Sequence, residues 1–256
     1  MLSPIGYLAT PFPDRFGVPR QPALAPHARG YLRLVPPYDR AEAVRGLEAF
    51  SHLWLTFVFH CTPGLWRPTV RPPRLGGNRR VGVFASRSPY RPNSLGLSLV
   101  ELLAINVDKG VLLTFAGVDL VDGTPILDLK PYLPFVESRP HARAGFVDGA
   151  PALRPVSFSP QACQQMDAQR LRWPDLGELL REVLAQDPRP AYAADPQREY
   201  GLRLYDLEIK WRCVDGSAVV EAMQMVSGVE RVEPERGNGK RQTPPLLVGG
   251  RGSAAL

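Results

Sequence analysis

The sequence of 256 residues predicts a mainly β protein, with a closed or nearly closed β-barrel over residues 1–150 and a small α+β domain over residues 151–233. Short apolar runs typical of buried strands dominate the first 150 residues, and almost no helical periodicity separates them. A doubly wound sheet would alternate strands with helices, so the sequence disfavours that class. Residues 234–256 are rich in Gly and Pro and lack periodicity, which predicts a disordered tail.

The predicted strands of the first domain are short, apolar and rich in β-branched or aromatic residues. They are Ile5–Thr10, Tyr31–Val35, Leu53–Phe59, Val81–Ala85, Leu95–Ile105 and Val111–Val118. The last two are expected to form a hairpin, because Asp108 to Gly110 between them is typical of a turn. One helix is predicted here, over Ala41–Phe50, and Asp122–Gly123 marks a further turn.

The second domain is expected to combine two helices with a strand pair. Residues 137–152 are small, polar and aperiodic, so the domain boundary is placed there. Ser159 and Pro160 are typical of a helix start, and Pro174–Gln186 has helical spacing at Leu176, Leu179, Leu180, Val183 and Leu184. Leu202–Cys213 alternates like one strand, which Ser217–Val232 can pair with.

The segment between the fourth and fifth predicted strands, SRSPYRPNS, is too polar and too rich in proline to continue either strand. Pro89 and Pro92 each have a fixed φ, and each restricts the residue before it to extended backbone. The loop therefore predicts a preformed polar cradle whose donors and acceptors are Arg87, Ser88, Tyr90, Arg91, Asn93 and Ser94.

The charge of the chain is unevenly distributed. The net charge is +6, but no Asp or Glu occurs between Ala49 and Val100, a window that contains Arg67, Arg71, Arg74, Arg79, Arg80, Arg87 and Arg91. Guanidinium groups suit phosphates and carboxylates, so the window predicts a surface that faces a polyanion such as nucleic acid. The alternative is a set of solvated arginines, some neutralised by acids from elsewhere in the fold.

Three further places could contact a small ligand, each with an ordinary structural alternative. Val18–Pro22 repeats the pattern of donors between prolines, but it could be a plain surface loop. His60 and Cys61 end a buried strand, where a polar residue can bind a ligand or simply hydrogen-bond. Asp119, Asp122 and Asp128 cluster around a turn that could hold the hydroxyls or amine of a ligand, or could be solvated.

Several classes of site are disfavoured. Cys61, Cys163 and Cys213 are far apart and no C-x-x-C occurs, so neither a zinc site nor a disulfide framework is predicted. The N-terminus lacks the apolar core of a signal peptide and no apolar run approaches a membrane span. Gly76–Gly77 precedes a strand rather than a helix, unlike a nucleotide-binding glycine loop. A cytoplasmic protein without membrane contact is therefore expected.

Several long motifs, VPRQPAL, WRPTVRPPRLGGNRRVGVFASRSPYRPNSLGLSLVEL, DLVDGTPILDLKPYLPF and AQDPRPAY, strongly resemble the TsaA/TrmO family of tRNA methyltransferases. The resemblance covers nearly all of residues 1–232. It implies S-adenosylmethionine-dependent methylation of N6 of threonylcarbamoyl-adenosine, next to the anticodon at position 37 of threonine tRNAs. It also implies a compact single-sheet β-barrel and a homodimer.

Matched motif by motif, the resemblance implies a set of residues that bind S-adenosylmethionine. They are Pro19, Arg20, Gln21, His60, Cys61, Arg87, Leu97, Asp122, Gly123, Thr124 and Pro125. The chain departs from the family pattern at Ser94, where proline is usual, and at Cys61, where glutamine is common. The first departure predicts a less rigid cradle.

Methylation of a carbamoylated N6 needs help, because its lone pair is delocalised into the carbonyl and the ring. One hypothesis is removal of the N6 proton by Asp122 or His60, or through Tyr90 as a relay. A second gives Arg91 and Asn93 to the threonyl carboxylate. The competing function is a non-catalytic barrel that binds RNA or a small ligand. A hydrolase is less well supported, since no Ser-His-Asp or Cys-His arrangement is evident.

Overall fold

A six-stranded closed barrel forms the N-terminal half of the chain, whose computed structural model describes residues 2–147, 149–189 and 198–226. The strands of this half are β1 (Gly6–Ala9), β2 (Gly30–Leu34), β3 (His52–Val58), β4 (Thr69–Val70), β5 (Val81–Gly82), β6 (Leu95–Asn106), β7 (Leu112–Ala116) and β8 (Thr124–Pro131). The barrel runs β1-β2-β7-β6-β3-β8, with every pair antiparallel. The predicted mainly β fold with an N-terminal barrel is confirmed.

The barrel interior is filled by alternate side chains of its strands. In β3, Leu53, Leu55 and Phe57 point inward and are buried, whereas the residues between them are only partly buried. Period-2 burial of this kind is what a sheet with one face on the core requires. Leu8, Leu32, Leu113, Phe115 and Ile126 complete the filling.

Two predicted elements of this half are wrong in type. The expected helix over Ala41–Phe50 is a pair of short 3-10 turns, Ala41–Val44 and Leu47–Ala49, because Gly46 between them has a φ of 84° that interrupts any right-handed helix. Of the expected strand Val81–Ala85, only β5 is a strand, and it pairs with β4. The residues after it, Val83–Ala85, form a 3-10 turn.

The C-terminal half places helices against a second sheet. The short α1 (Pro134–Glu137) still contacts the barrel, through a hydrogen bond from Trp54 Nε1 to Glu137. The C-terminal half contains β9 (Val156–Phe158), α2 (Pro160–Gln169), α3 (Leu176–Ala185), β10 (Glu199–Leu204), β11 (Leu207–Val214) and β12 (Ser217–Met225), with the sheet order β10-β11-β12-β9. The Ser159 side chain accepts a hydrogen bond from the amide of Ala162, confirming the predicted N-cap of α2. The five apolar positions predicted for the second helix are all buried in α3.

The segment Leu202–Cys213 is a hairpin and not the single strand predicted. Tyr205 and Asp206 form the turn between β10 and β11, and Tyr205 adopts a φ of 55°. Leu202 and Leu204 before the turn, and Leu207 after it, are all buried. The buried positions change phase at the turn, from Leu202 and Leu204 to Leu207 and Ile209, and the apolar Tyr205 masks this change in the sequence. The predicted pairing of β12 with this region is confirmed for Ser217–Met225.

The loop over residues 10–29, called here the first loop, lies between the barrel and the C-terminal sheet. The Tyr205 amide donates to the Pro11 carbonyl at 2.7 Å, and the His27 amide donates to the Glu182 carboxylate at 3.0 Å. Gln186 Nε2 donates to the Leu24 carbonyl, also at 3.0 Å. The C-terminal half therefore fixes the course of the segment that carries Pro19, Arg20 and Gln21.

Parts of the prediction fall outside the described residues. The tail over residues 234–256 lies outside them, as do residues 190–197, which include the end of the loop with the motif AQDPRPAY, residues 185–192. Within that loop Arg189 is described, and its Nε and Nη2 donate to Asp187 at 2.7 and 2.9 Å. The domain limits at residues 150 and 233 stay predictions.

Candidate active site

A cavity of about 180 Å³ opens at the end of the barrel where β3 ends. Four separate segments form its walls, which are largely apolar, and three of the segments contribute polar side chains. The lining residues are Arg15, Val18, Phe57, Val58, Phe59, His60, Cys61, Thr62, Pro89, Asp119, Leu120, Val121 and Thr124. A mostly apolar cavity with a few converging polar groups is typical of a small-molecule site.

Room for this cavity depends on a glycine in β6. Gly96 faces Phe57 across the β3–β6 pair, and a Cβ at Gly96 would lie 2.2 Å from the Phe57 ring. No real contact is that short, so any side chain at residue 96 would displace the ring. Phe57 in turn packs edge-on against Phe59, with ring centroids 5.0 Å apart. Gly96 thus sets the position of one apolar wall.

His60, Cys61 and Thr124 meet on one wall of the cavity. His60 Nδ1 lies 3.5 Å from Thr124 Oγ1, and His60 Nε2 lies 3.4 Å from Cys61 Sγ. The Thr124 hydroxyl donates to the Val121 carbonyl at 2.6 Å, so its oxygen is left to accept from the imidazole. Three of the predicted cofactor residues therefore share one wall.

The Asp122–Gly123 turn closes the end of the barrel and does not line the cavity. The Thr10 amide donates to Asp122 Oδ1 at 2.8 Å, and the amides of Asp122 and Gly123 donate to the carbonyls of Phe12 and Leu8. This carboxylate therefore ties β8 to the end of β1. Pro125 follows in β8, where it pairs with Tyr7 of β1.

The first loop meets the segment SRSPYRPNS over residues 86–94, called here the central loop, through two predicted cofactor residues. Arg87 Nη1 donates a hydrogen bond to the Gln21 side-chain carbonyl. Pro19 is buried and Arg20 is exposed beside them, and Val18 reaches the cavity wall. Leu97 lies apart on β6, opposite Thr56, with 57% of its surface exposed.

The central loop is held by its own hydrogen bonds. Arg91 Nη1 donates to the carbonyls of Ser86, at 2.8 Å, and Val83, at 3.3 Å, and its guanidinium lies 5.6 Å from the centroid of the Phe84 ring. The Tyr90 ring lies under the Arg67 guanidinium at 4.9 Å. The loop is thus preformed, as expected.

The loop directs Pro89, and none of Tyr90, Arg91 and Asn93, to the cavity wall. Asn93 is exposed and Ser94 is buried with a φ of 51°. Proline cannot adopt that φ, so the serine at this position matches the observed backbone, and the less rigid cradle inferred from the missing proline has no support in the loop's geometry.

Asp119, which the sequence treats only as one of three acids near a turn, lies on the cavity wall. The Ser98 hydroxyl of β6 donates to Asp119 Oδ1 at 2.5 Å. Burial raises the pKa of Asp119 to about 6, against the opposing effects of the Ser98 hydrogen bond and the Arg87 charge. Its place directly after a predicted strand, like that of His60, is the signal that could have identified it.

Other kinds of site are absent from the part of the chain that the structure describes. There, no group of three or more His, Cys, Asp or Glu side chains is placed to hold a metal ion. Cys61, Cys163 and Cys213 are all free thiols. No helix within the described ranges is long and apolar enough to cross a bilayer.

Comparison with known proteins identifies the family. A model of the tRNA-methyltransferase O N-terminal domain matches residues 7–138, and a model of the TrmO C-terminal domain matches residues 151–226. The chain belongs to the tRNA-methyltransferase O family. This confirms the resemblance noted in the sequence.

Individual members of the tRNA-methyltransferase O family are similar over most of the chain. The chain is 52% identical over 225 residues to the tRNA (adenine(37)-N6)-methyltransferase of Escherichia coli K12, covering 86% of this chain and 96% of that protein. It is 50% identical to the protein of the same name from Eikenella corrodens, covering 70% of this chain and all of that one. The crystal structure of TrmO from Pseudomonas aeruginosa has a TM-score of 0.74 at 41% identity, covering 88% and 97% of the two chains.

Proposed function

We propose that this protein is an S-adenosylmethionine-dependent methyltransferase that acts on N6 of adenine 37 in tRNA. The observation that carries the proposal is 52% identity to the E. coli enzyme of that activity over 96% of its length. Similarity of that extent spans both domains, so this chain and the E. coli enzyme share both the barrel end and the C-terminal half that fixes the first loop. A TM-score of 0.74 to TrmO supports the same conclusion.

The barrel-end cavity suits the place where the methyl donor and the target adenine meet. Its apolar walls, formed by Val18, Phe57, Phe59 and Leu120, match a flat aromatic base, and His60 and Thr124 offer hydrogen bonds at one side. When bound, S-adenosylmethionine supplies a methyl group on a sulfonium, open to displacement from the side opposite the sulfur. Three of the residues proposed to hold it, His60, Cys61 and Thr124, line the cavity. The others would hold it outside the cavity wall, and they are Pro19, Arg20, Gln21, Arg87, Leu97, Asp122, Gly123 and Pro125.

The contribution of the protein to this reaction is mainly alignment and exclusion of water. Holding two reactants in line can lower a barrier by about 7–11 kcal/mol at best. The Arg87–Gln21 hydrogen bond joins the central loop to the first loop beside the cavity, and the C-terminal half fixes the first loop through His27 and Gln186. These contacts set the shape of the donor site before any ligand binds.

The acid-free arginine window is proposed to face the tRNA backbone. Arg71 and Arg79 are exposed there, and the exposed rings of Trp66 and Phe84 offer surfaces on which unpaired bases can stack. Each phosphate contact adds about 0.7–0.9 to the slope of log affinity against log salt. Replacing Arg71 and Arg79 by Gln should lower that slope by about 1–2, whereas the control pair Arg40→Gln and Arg45→Gln, outside the window, should not change it.

The finer substrate is proposed to be threonylcarbamoyl-adenosine in threonine tRNAs. Arg91 is preorganised, because two loop carbonyls hold its Nη1, and its remaining N–H groups could pair with the threonyl carboxylate beside Asn93. Arg91→Lys should reduce methylation of the modified tRNA while leaving donor affinity unchanged, with Arg45→Lys, outside the arginine window, as the matched control. Loss of donor binding in Arg91→Lys would move Arg91 from the substrate to the donor site.

A homodimer in the cytoplasm is proposed as well, on the strength of the family resemblance. Light scattering of the purified chain tests the dimer, and cell fractionation tests the location. A monomer at the concentrations used for activity would refute the first.

The experiment that tests the function combines nucleoside mass spectrometry with calorimetry. The purified chain, S-adenosylmethionine and tRNA from cells lacking this protein should yield N6-methylated threonylcarbamoyl-adenosine in threonine tRNA. The same tRNA without the threonylcarbamoyl group is the control. Binding of the donor without methylation of any tRNA would refute the proposal.

A further inference from the structure

Asp119 is the one carboxylate that lines the barrel-end cavity among the residues that the structure describes. It follows β7, at the same end of the barrel as His60 after β3. The Ser98 hydroxyl fixes one of its oxygens at 2.5 Å. The charged or titratable groups around the cavity are Arg87, whose charge acts on the carboxylate, together with Arg15, His60 and Cys61.

The other acids and bases near the cavity either lie off its wall or have their polar atoms next to other protein groups. Asp122 accepts the Thr10 amide and ties two strands together outside the cavity. The Tyr90 ring lies under the Arg67 guanidinium, also off the cavity wall. His60 does line the wall, but its two ring nitrogens face Thr124 and Cys61. Asp119 is therefore the group best placed to take a proton from a ligand in this cavity.

The chemistry of the carboxylate fits such a role. A general base works best when its pKa lies near the working pH, because it is then both ionised and basic. Burial holds the pKa of Asp119 at about 6, so most of the population is ionised at neutral pH. An ordinary exposed aspartate would be a much weaker base.

We propose that Asp119 is the general base that accepts the N6 proton of the target adenine, an inference that rests on the proposed function. Asp119 takes the proton of the N6–H bond, and N6 uses its electron pair to form the new N–C bond. The electron pair of the broken S–C bond stays on sulfur, which becomes a neutral thioether. The protonated carboxyl then releases its proton to solvent, and this proton carries away the positive charge that the sulfonium loses.

Ser98 is a positioning residue for this step. Its hydroxyl sits in β6, opposite Leu55 of β3, and is itself buried. The hydrogen bond to Asp119 Oδ1 orients the carboxylate and also lowers its pKa. Ser98→Ala should therefore slow methylation and move the midpoint of the pH–rate profile to higher pH, a shift that a purely structural role of Ser98 would not produce.

The decisive variant is Asp119→Asn, compared with the wild type in binding and in single-turnover methylation. Calorimetry with S-adenosylmethionine and with its neutral product S-adenosylhomocysteine should give affinities within about threefold of the wild type. The single-turnover rate on threonine tRNA should fall by about 100-fold or more, the usual contribution of a general base. The wild-type rate should rise with pH to a midpoint near 6, and this rise should disappear in Asp119→Asn but persist in His60→Asn.

Two results would overturn the assignment. One is a rate for Asp119→Asn within threefold of the wild type with the same pH profile. The other is a selective loss of affinity for S-adenosylmethionine over S-adenosylhomocysteine, which would make Asp119 a charge partner of the sulfonium. Failure of the wild type itself to methylate any tRNA would instead refute the proposed function. Circular dichroism checks the fold of each variant.

Discussion

Asp119→Asn should make the protein more stable at neutral pH, even though it removes the proposed base. Burial raises the pKa of this carboxyl from its ordinary value of 3.8 to about 6. Well below pH 3.8 the group is protonated in both states and has no effect on stability. Between pH 3.8 and about 6 the unfolded chain ionises while the native carboxyl keeps its proton, so the free energy of unfolding falls as pH rises. Above about pH 6 the full penalty remains.

The size of the effect follows from the linkage relation. A rise from 3.8 to about 6 corresponds to about 3 kcal/mol at pH 8 and about 1 kcal/mol at pH 4.5. An asparagine is neutral at both pH values, and its side-chain oxygen can still accept the Ser98 hydrogen bond. The variant should therefore exceed the wild type in free energy of unfolding by about 2 kcal/mol more at pH 8 than at pH 4.5.

Urea unfolding at the two pH values measures this difference, since other titrating groups cancel between variant and wild type. With a slope of about 2–3 kcal/mol per molar urea, the urea midpoint should differ by about 1 M at pH 8. Asp215→Asn, in the exposed turn between β11 and β12, is the control and should follow the wild type. If Asp119→Asn and the wild type changed equally between pH 4.5 and pH 8, the burial argument for Asp119 would be wrong.

Three other substitutions test the packing around the site and in the C-terminal half. Gly96→Ala should displace the Phe57 ring. Calorimetry should show donor binding at least tenfold weaker, and urea unfolding should show a barrel less stable by about 1–3 kcal/mol. The control Gly82→Ala has open space at its Cβ and should change neither donor binding nor stability. Ser159→Ala should cost about 1 kcal/mol through loss of the N-cap of α2, measured by thermal unfolding, and no change would contradict that cap. Leu202→Ala should cost about 2–5 kcal/mol, because this buried side chain fills space beside the first loop.

The sequence predicted the barrel because its strands carry their own signal. Residues such as Leu53, Leu55 and Phe57 alternate between core and surface, and their β-branched or aromatic neighbours favour extended backbone. Prediction failed where one residue with a positive φ decides the course of the chain. Gly46 splits the expected helix, and Tyr205 reverses the expected strand. Gly46 leaves the apolar spacing of its segment unchanged, and the apolar Tyr205 masks the change of phase at the hairpin turn.

The sequence predicted which segments form the site better than it predicted which side chains face the cavity. The ends of strands and the proline-stiffened loops did converge, and His60, Cys61 and Thr124 reach the cavity wall. Which carboxylate faces inward could not be read from spacing. Asp119 and Asp122 are three residues apart in one turn region, and only the closed barrel directs the first to the cavity and the second to the Thr10 amide.

The closure of the barrel has a consequence for how the protein folds during its synthesis on the ribosome. β1, near the N-terminus, must pair with β8, more than a hundred residues later, before the ring is complete. Pairings this distant in sequence form slowly. Until β8 emerges, the nascent chain holds an open sheet with two unprotected edges, which are prone to pair with other chains. Cells that make this enzyme quickly should therefore depend on chaperones that shield such edges.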